Sequence, residues 1–223
     1  PKAASPEVVV GSALAANEGA SKKKIISWAM WDWGTQPFNT VITTFVFSVY
    51  ITSASFGSEN YTSQSLATST TIAGLFIALL APVLGQNSDR RGAKLKSLRY
   101  LTWALAAISA SLYVVRPDPS YLWVGLILLG VGSVVGEIAG VNYNALIDDV
   151  ATEKNVGRVS GFGWGMGYLG GILVLLLIYF LFIQPDVGLF GVTGEDGMDI
   201  RVSMLVCGLW TLVFTLPSFL NLK

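Results

Sequence analysis

Long apolar stretches separated by short polar ones dominate this chain. A membrane-spanning helix needs about 20 mostly apolar residues, because the hydrocarbon core of a bilayer is about 30 Å thick and a helix rises about 1.5 Å per residue. The apolar stretches are continuous and lack the alternation of polar and apolar positions that is typical of a barrel strand. We therefore predict an all-α integral membrane protein with six transmembrane helices, over residues 27–52, 66–86, 98–115, 121–147, 159–183 and 202–220.

The composition supports this prediction and excludes several classes of protein. Of the 223 residues, 52% are hydrophobic and 13% are charged, whereas soluble domains have about 25% charged residues. The 14 basic and 14 acidic residues balance, so no excess positive charge is available for nucleic acid. The absence of histidine excludes the Ser-His-Asp and Cys-His catalytic groups and histidine-containing zinc sites within this chain. We expect a protein embedded in a lipid bilayer that is not an enzyme and holds no cofactor or metal ion.

Basic residues lie almost entirely on one side of the predicted membrane. Twelve of the 14 fall in the N-terminal segment, in the second-to-third and fourth-to-fifth loops, or at the last residue, and only Arg116 and Arg201 lie on the other side. Because cytoplasmic loops are enriched in Lys and Arg, we expect both termini in the cytoplasm. We divide the chain into a flexible cytoplasmic tail, residues 1–24, and a six-helix transmembrane bundle, residues 25–223.

The first predicted helix carries a polar stripe on an otherwise apolar surface. Its members recur at i, i+4, i+7 and i+11, which places them on one face of a regular helix. An ionised carboxylate at membrane depth is costly, so it normally faces a cavity or a partner. We favour a stripe that lines a pathway for substrate or protons, and the alternative is an interfacial carboxylate that caps or pairs near the cytoplasmic surface. The stripe consists of Asp32, Gln36, Asn39 and Thr43.

A second polar stripe lies on the fourth predicted helix and includes a deeper carboxylate. Glu137 lies ten residues before Ile147, the predicted cytoplasmic end, whereas Asp32 lies five residues after Ser27, the start of the first helix. These spacings correspond to depths of roughly 15 and 8 Å. We expect Glu137 to bind a proton or the substrate in a cytoplasm-facing cavity whose entrance Asp32 guards; the alternative is a structural hydrogen bond between helices. The second stripe consists of Ser133, Glu137, Gly140 and Asn144, of which Ser133, Glu137 and Asn144 are the candidates for the pathway.

Glycines recur at helical spacing in the fifth predicted helix. They form three overlapping pairs, and in each pair three residues lie between the two glycines. Such small residues let neighbouring helices approach closely. We therefore expect a helix-packing face, while direct contact of Trp164 and Tyr168 with a substrate is the alternative. The glycines are Gly161, Gly163, Gly165, Gly167 and Gly171.

A charged loop joins the second and third predicted helices. From its residues alone, it can be a cytoplasmic loop that only sets the orientation. Its pattern also resembles the G-x-L-A-D-R-x-G-R-K signature of the major facilitator superfamily, with Asn87 and Ala93 among the departures from it. The resemblance implies a cytoplasmic gate that holds helix ends together, formed by Gly85, Asp89, Arg90, Arg91, Gly92 and Lys94.

Two further segments resemble one branch of this superfamily. Residues 28–39 resemble its opening helix, and residues 142–161 resemble the stretch from its fourth to its fifth helix. The branch is the "unknown major facilitator" family, which includes vacuolar amino-acid effluxers of the autophagy type. The resemblance implies two six-helix halves around a central cavity that is lined by the first and fourth helices of each half. This chain is expected to be the N-terminal half, completed by a second half from the same gene or from a partner chain.

The resemblance implies a secondary transporter for a small polar solute, such as an amino acid, in a bacterial plasma membrane. The fourth predicted helix lacks the arginine of many proton-coupled members, and Gly167 and Tyr168 replace the Gly-Pro pair of antiporters, so the coupling ion stays open. The alternative function is a non-transporting membrane subunit or scaffold that docks onto a larger membrane complex. Solute transport that is lost on mutation of Asp32 or Glu137 would distinguish the two.

Overall fold

Long helices make up most of the structure. The computed structural model describes the backbone of residues 6–90 and 93–222, and the side chains of residues 22–80, 82–83 and 93–222. Within these residues the elements are helical and no strand is present, which confirms the predicted all-α fold. The first transmembrane stretch consists of α1 (Pro6–Pro37), a π-helical segment (Phe38–Phe45) and α2 (Phe47–Ile51). The helices are α1 (Pro6–Pro37), α2 (Phe47–Ile51), α3 (Glu59–Arg90), α4 (Lys94–Ser111), α5 (Leu122–Ala145), α6 (Val156–Ile178) and α7 (Met198–Asn221).

Four helical stretches are long and apolar enough to cross a membrane, in the part of the chain that the structure describes. The helices that contain the first and third predicted spans are more polar, because the first contains Asp32, Gln36 and Asn39 and α4, which contains most of the third, begins with Lys94 and Lys96. Both of these helices pack between other helices of the bundle. The four apolar stretches are Glu59–Leu80, Pro119–Asp149, Val156–Ile183 and Glu195–Asn221.

The helices pack as two equivalent groups of three. Helix α1 packs against α6 and α7, and α5 packs in the same way against α3 and α4. The third and sixth transmembrane helices, α4 and α7, then join the groups by packing against each other. The centre of each group is therefore the first helix of one half of the chain, α1 or α5, and both of its partners belong to the other half. Internal repeats of three helices are the architecture of many transporters.

The first transmembrane stretch changes its helical pitch immediately after Pro37. Proline has no N–H to donate and disturbs the regular hydrogen-bond ladder. The following π-helical segment has hydrogen bonds between residues five apart, such as that from Val46 N–H to the Val41 carbonyl at 2.8 Å. The hydroxyls of Thr43 and Thr44 donate to the Asn39 carbonyl at 2.8 and 2.7 Å. Such π-turns inside helices often lie at functional sites.

The N-terminal segment begins in helical conformation in the described residues. Helix α1 starts at Pro6 and continues without interruption to Pro37. The segment that we assigned to a tail thus contributes helical backbone from residue 6 onward, while residues 1–5 lie outside the described part. The flexibility of residues 1–24 and their cytoplasmic location stay predictions.

Buried side chains form two groups along the first transmembrane stretch. One group surrounds the π-helical segment and includes Val41 and Ile42, which are fully buried. The other surrounds the C-terminal part of α1 and includes Trp28, Trp31 and, from α5, Tyr143. The second group also lies beside polar residues of α1, and these define the candidate site.

Candidate functional site

A short chain of polar side chains runs along α1 where this helix packs against α6. Asp32 and Gln36 are half-buried, and Gln36 Nε2 donates to Asp32 Oδ1 at 3.4 Å. The Thr40 hydroxyl in turn donates to Gln36 Oε1 at 3.4 Å. The structure therefore connects Asp32 to Gln36 and Thr40, and Thr40 is a residue that the sequence analysis did not include.

The second part of the predicted stripe lies apart from this chain. Asn39 is exposed and Thr43 is half-buried, and the Thr43 hydroxyl is turned to the Asn39 carbonyl. The spacing from which we inferred one stripe assumes a regular α-helix, and the π-helical segment has more residues per turn. The predicted stripe is therefore correct for Asp32 and Gln36, which precede Pro37. After Pro37, the side chains of Asn39 and Thr43 point in a different direction around the helix axis.

Glycines of α6 provide the surface on which this polar chain lies. A Cβ atom added to Gly167 would be 2.7 Å from Asp32 Cγ, and one added to Gly163 would be 2.6 Å from the Trp28 ring. A Cβ at Gly171 would meet the side chain of Thr40. These three glycines are four residues apart, so they share one face of α6. Gly161 and Gly165 lie elsewhere on the helix, with open space beside their Cα atoms.

Three aromatic rings stack next to Asp32 between α1 and α5. The Tyr143 ring lies between Trp28 and Trp31, with 4.4 Å between ring centroids on either side. Trp28 Nε1 donates to the Tyr143 carbonyl at 3.1 Å, and Trp31 Nε1 donates to Thr102 Oγ1 of α4 at 2.8 Å. All three rings are buried. Stacking and hydrogen bonds thus hold the ring of Tyr143 in one place.

The hydroxyl of Tyr143 is buried and has no hydrogen-bond partner among the described residues. It lies against α6, where a Cβ added to Gly163 would be 2.9 Å away from it. Buried hydroxyls normally have a partner. The sequence analysis did not identify Tyr143, because an isolated tyrosine in an apolar helix gives no signal of its partners.

The polar stripe predicted for the fourth transmembrane helix is accessible in the structure of this chain. Glu137 and Asn144 are exposed, and Ser133 is half-buried with its hydroxyl donating to the Leu129 carbonyl at 2.9 Å. Within the described residues, the hydrogen-bond chain from Asp32 continues through Gln36 and does not reach Glu137 or Asn144. The two carboxylates are therefore not brought into direct contact.

The charged loop is described only in part. Gly85, Asp89 and Arg90 belong to the helical backbone of α3, and the positions of their side chains lie outside the described residues, as do Arg91 and Gly92. Lys94 Nζ donates to the carbonyl of Ala145, the last residue of α5, at 3.2 Å. A cation is favourable at a helix C-terminus, because the unpaired carbonyls there carry partial negative charge. This contact joins the loop to the end of α5.

At the opposite end of the bundle, Arg201 of α7 forms a buried ionic contact. Its side chain is 4% exposed and lies 2.8 Å from Asp196 Oδ2. Arg201 Nε donates to the Tyr113 carbonyl at 2.7 Å, and the guanidinium lies over the Tyr113 ring at 4.7 Å. Nearby, the Tyr50 hydroxyl donates to the Val115 carbonyl at 2.9 Å. These contacts join the ends of the first, third and sixth transmembrane helices.

An apolar groove of about 380 Å³ lies between α3 and α5. Its lining includes Ile72, Phe76 and Ile127, and it contains no charged residue. A polar solute would lose its hydration there without gaining hydrogen bonds. The groove is therefore less suited to a polar solute than the polar chain on α1. Within the described residues, no three His, Cys, Asp or Glu side chains come together as metal ligands could.

Comparison with known proteins agrees with this architecture. The family described as "Vacuole effluxer Atg22 like" matches residues 49–223. "Uncharacterized MFS-type transporter YxiO" of Bacillus subtilis (strain 168) is 30% identical over 197 residues, which are 86% of this chain and 44% of that protein. "Autophagy-related protein 22" of Yarrowia lipolytica (strain CLIB 122 / E 150) is 31% identical over 97 residues, which are 43% of this chain and 15% of that protein.

The chain spans less than half the length of these two relatives. No solved structure matches it. The family match covers most of the chain, including the whole of α3 to α7, and confirms the resemblance to this branch over residues 142–161 and the charged loop. Residues 28–39 lie before the matched range. The chain belongs to the Atg22-like branch of the major facilitator superfamily of transporters.

Proposed function

We propose that this chain forms one six-helix half of a secondary transporter that moves a small polar solute, such as an amino acid, by alternating access. The observation that carries the proposal is the half-buried carboxylate of Asp32, which is linked to Gln36 and Thr40 in a helix of a transporter-family protein. A carboxylate at membrane depth is costly and is usually retained for binding or proton transfer. The polar chain supplies both acceptors and donors to a solute.

The length of the relatives supports a second half. Because the chain corresponds to 44% of the Bacillus protein, a further six helices, from the same gene or from a partner chain, would complete a central cavity. The exposed Glu137 and Asn144, with Ser133, would then line this cavity from α5, opposite or beside Asp32. In this proposal residues 25–223 form the N-terminal half.

We assign the cytoplasmic gate to Asp89, Arg90 and Arg91 as part of the same proposal. The contact between Lys94 and the last carbonyl of α5 supports it, since this contact already joins the start of α4 to a helix of the cavity. The bias of basic residues toward one side supports cytoplasmic termini, and the similarity to a Bacillus subtilis protein supports a bacterial plasma membrane.

Uptake by proteoliposomes tests the proposal on the full-length protein. A panel of radiolabelled amino acids and other small polar solutes would be offered with and without a proton or sodium gradient. We expect Glu137→Gln to abolish gradient-driven transport, and Asp32→Asn to lower its rate by roughly tenfold, equivalent to about 1.4 kcal/mol. Asp186→Asn is the control, because Asp186 is exposed in the loop before α7.

Two outcomes would contradict the proposal. In one, solute uptake is the same in Asp32→Asn, Glu137→Gln and the control. In the other, no solute is transported although the folded protein is recovered with a larger membrane complex. The second outcome would favour the scaffold function instead.

A further inference from the structure

Two polar atoms that α1 and α5 present to α6 lie close to each other. The Tyr143 hydroxyl would be 2.9 Å from a Cβ on Gly163, and Asp32 Cγ would be 2.7 Å from a Cβ on Gly167. The Cβ positions of residues four apart on a helix are roughly 5–6 Å from each other. The hydroxyl and the carboxyl therefore lie along one turn of α6.

The arrangement leaves one oxygen of each group directed to the surface of α6 at Gly163 and Gly167, which we call the glycine groove. Gln36 Nε2 donates to Asp32 Oδ1, whereas Asp32 Oδ2 is the oxygen that lies against Gly167. The Tyr143 hydroxyl has no partner among the described residues. Because Trp28 and Trp31 hold its ring on both faces, the hydroxyl cannot turn to another acceptor without breaking the stack.

We propose that one water molecule binds in the glycine groove and bridges the Tyr143 hydroxyl and the Asp32 carboxyl. Two hydrogen bonds of about 2.8 Å through one water span the separation expected for groups along one helical turn. Buried waters in proteins bind polar groups that otherwise lack partners, and they need at least two of them. Glycines at positions 163 and 167 let the hydroxyl and the carboxyl both lie directly against the backbone of α6, where a larger side chain would displace them.

The bridge makes Tyr143 a positioning residue for Asp32. It connects the two helices that we propose to line the cavity, α1 and α5, across the surface of α6. This consequence rests on the proposed function, whereas the water site itself does not. A change in the charge or the contacts of Asp32 would reach the aromatic stack of Trp28, Trp31 and Tyr143 through the water.

Infrared difference spectroscopy of the full-length protein in lipid tests the water site without a transport assay. Spectra induced by a change of pH would be recorded in ordinary water and in water labelled with oxygen-18. We expect a water band that shifts with the isotope in the unmodified protein and is lost in both Tyr143→Phe and Asp32→Asn. Tyr168→Phe is the matched control, because Tyr168 is exposed on α6, and it should keep the band.

A second pair of variants guards against a folding defect in Tyr143→Phe. Alanine at Gly167 places a methyl group beside Asp32 and should remove the same band, whereas alanine at Gly165, which has open space, should keep it. The proposal is overturned if the band is missing from the unmodified protein, if it survives in folded Tyr143→Phe, or if Tyr168→Phe and Gly165→Ala also remove it. A protein that shows the band and transports nothing would refute the proposed transport and leave the water site supported.

Discussion

The buried guanidinium of Arg201 gives the sharpest test of how this bundle is held together at the end opposite Lys94. Replacing Arg201 by glutamine removes the ion pair with Asp196 and the hydrogen bond to the Tyr113 carbonyl. It also removes the contact of the cation with the Tyr113 ring. The shorter side chain leaves the Tyr113 carbonyl without its donor. The start of α7, the turn at Asp196 and the end of the third transmembrane helix would thus lose a shared contact.

The expected cost follows from these contacts. A hydrogen bond to a charged group contributes about 1.5–3 kcal/mol, and a cation over an aromatic ring contributes about 0.5–2 kcal/mol. The ion pair has to be discounted because the Asp196 side chain is 46% exposed, so water screens its charge. We therefore expect Arg201→Gln to lower the free energy of unfolding by about 2–4 kcal/mol, which corresponds to a fall in Tm of roughly 4–16 °C.

Thermal unfolding in detergent, followed by tryptophan fluorescence, measures this loss. Arg116→Gln is the matched control, because the Arg116 side chain is 58% exposed and its Nε lies 3.9 Å from the same Asp196 carboxylate. An exposed pair of this kind contributes at most about 1 kcal/mol. A double-mutant cycle of Arg201→Gln with Asp196→Asn isolates the ion pair from the remaining contacts of Arg201. Equal losses for Arg201→Gln and Arg116→Gln would refute the reasoning.

Other contacts lead to three shorter predictions. Gly167→Ala is expected to lower the free energy of unfolding by about 1–3 kcal/mol in the same assay, because the added methyl group meets a carboxyl of α1. Gly165→Ala should be neutral or stabilising, and equal losses for the two variants would argue against this packing. Hydrogen bonds to the Asp118 side chain lower the pKa of its carboxyl, so the stabilisation by the ionised carboxylate is present at neutral pH and is lost as the pH falls below the ordinary value of 3.8. Amide exchange at the start of α5 should therefore become faster in acid. The prediction is refuted if the same acid-dependent increase is found in Asp118→Asn. Cysteines introduced at the exposed positions Ser58 and Thr152 should react with an impermeant reagent from the outside and from the cytoplasm respectively, since the native cysteine is buried, and the reverse pattern would overturn the predicted topology.

Short-range patterns in the sequence were enough to predict the class of fold. The length and apolarity of the stretches depend only on neighbouring residues and on the thickness of a bilayer, so the six helices could be predicted without knowing their arrangement. The spacing of small residues in the fifth helix likewise indicated a packing surface. It did not indicate which glycines face a neighbour, because the face in contact depends on where α1 lies; Gly163, Gly167 and Gly171 meet α1 and Gly165 does not.

The polar stripe of the first helix shows where periodicity stops being informative. Asp32 and Gln36 are connected as a regular helix predicts, but beyond Pro37 the π-helical segment alters the angle between successive residues. A proline in the sequence predicts that the helix is disturbed, but it does not predict whether the result is a kink or a π-helical segment. The form is decided by the packing of the whole first stretch, and so Thr40 is connected to Gln36 while Asn39 is turned away.

The sequence by itself determined the membrane class, the superfamily, the six helical stretches and the presence of a carboxylate in the first of them. Only the tertiary structure revealed the stack of Trp28, Tyr143 and Trp31 and the contact between Arg201 and Tyr113. Tryptophans near the start of a membrane helix usually lie among lipid headgroups, yet Trp28 is bound to a residue 115 positions away. A stripe in one helix is a local property, because it follows from the pitch of that helix. A buried contact between distant residues depends on which helices are neighbours, and that is decided by the packing of the entire bundle.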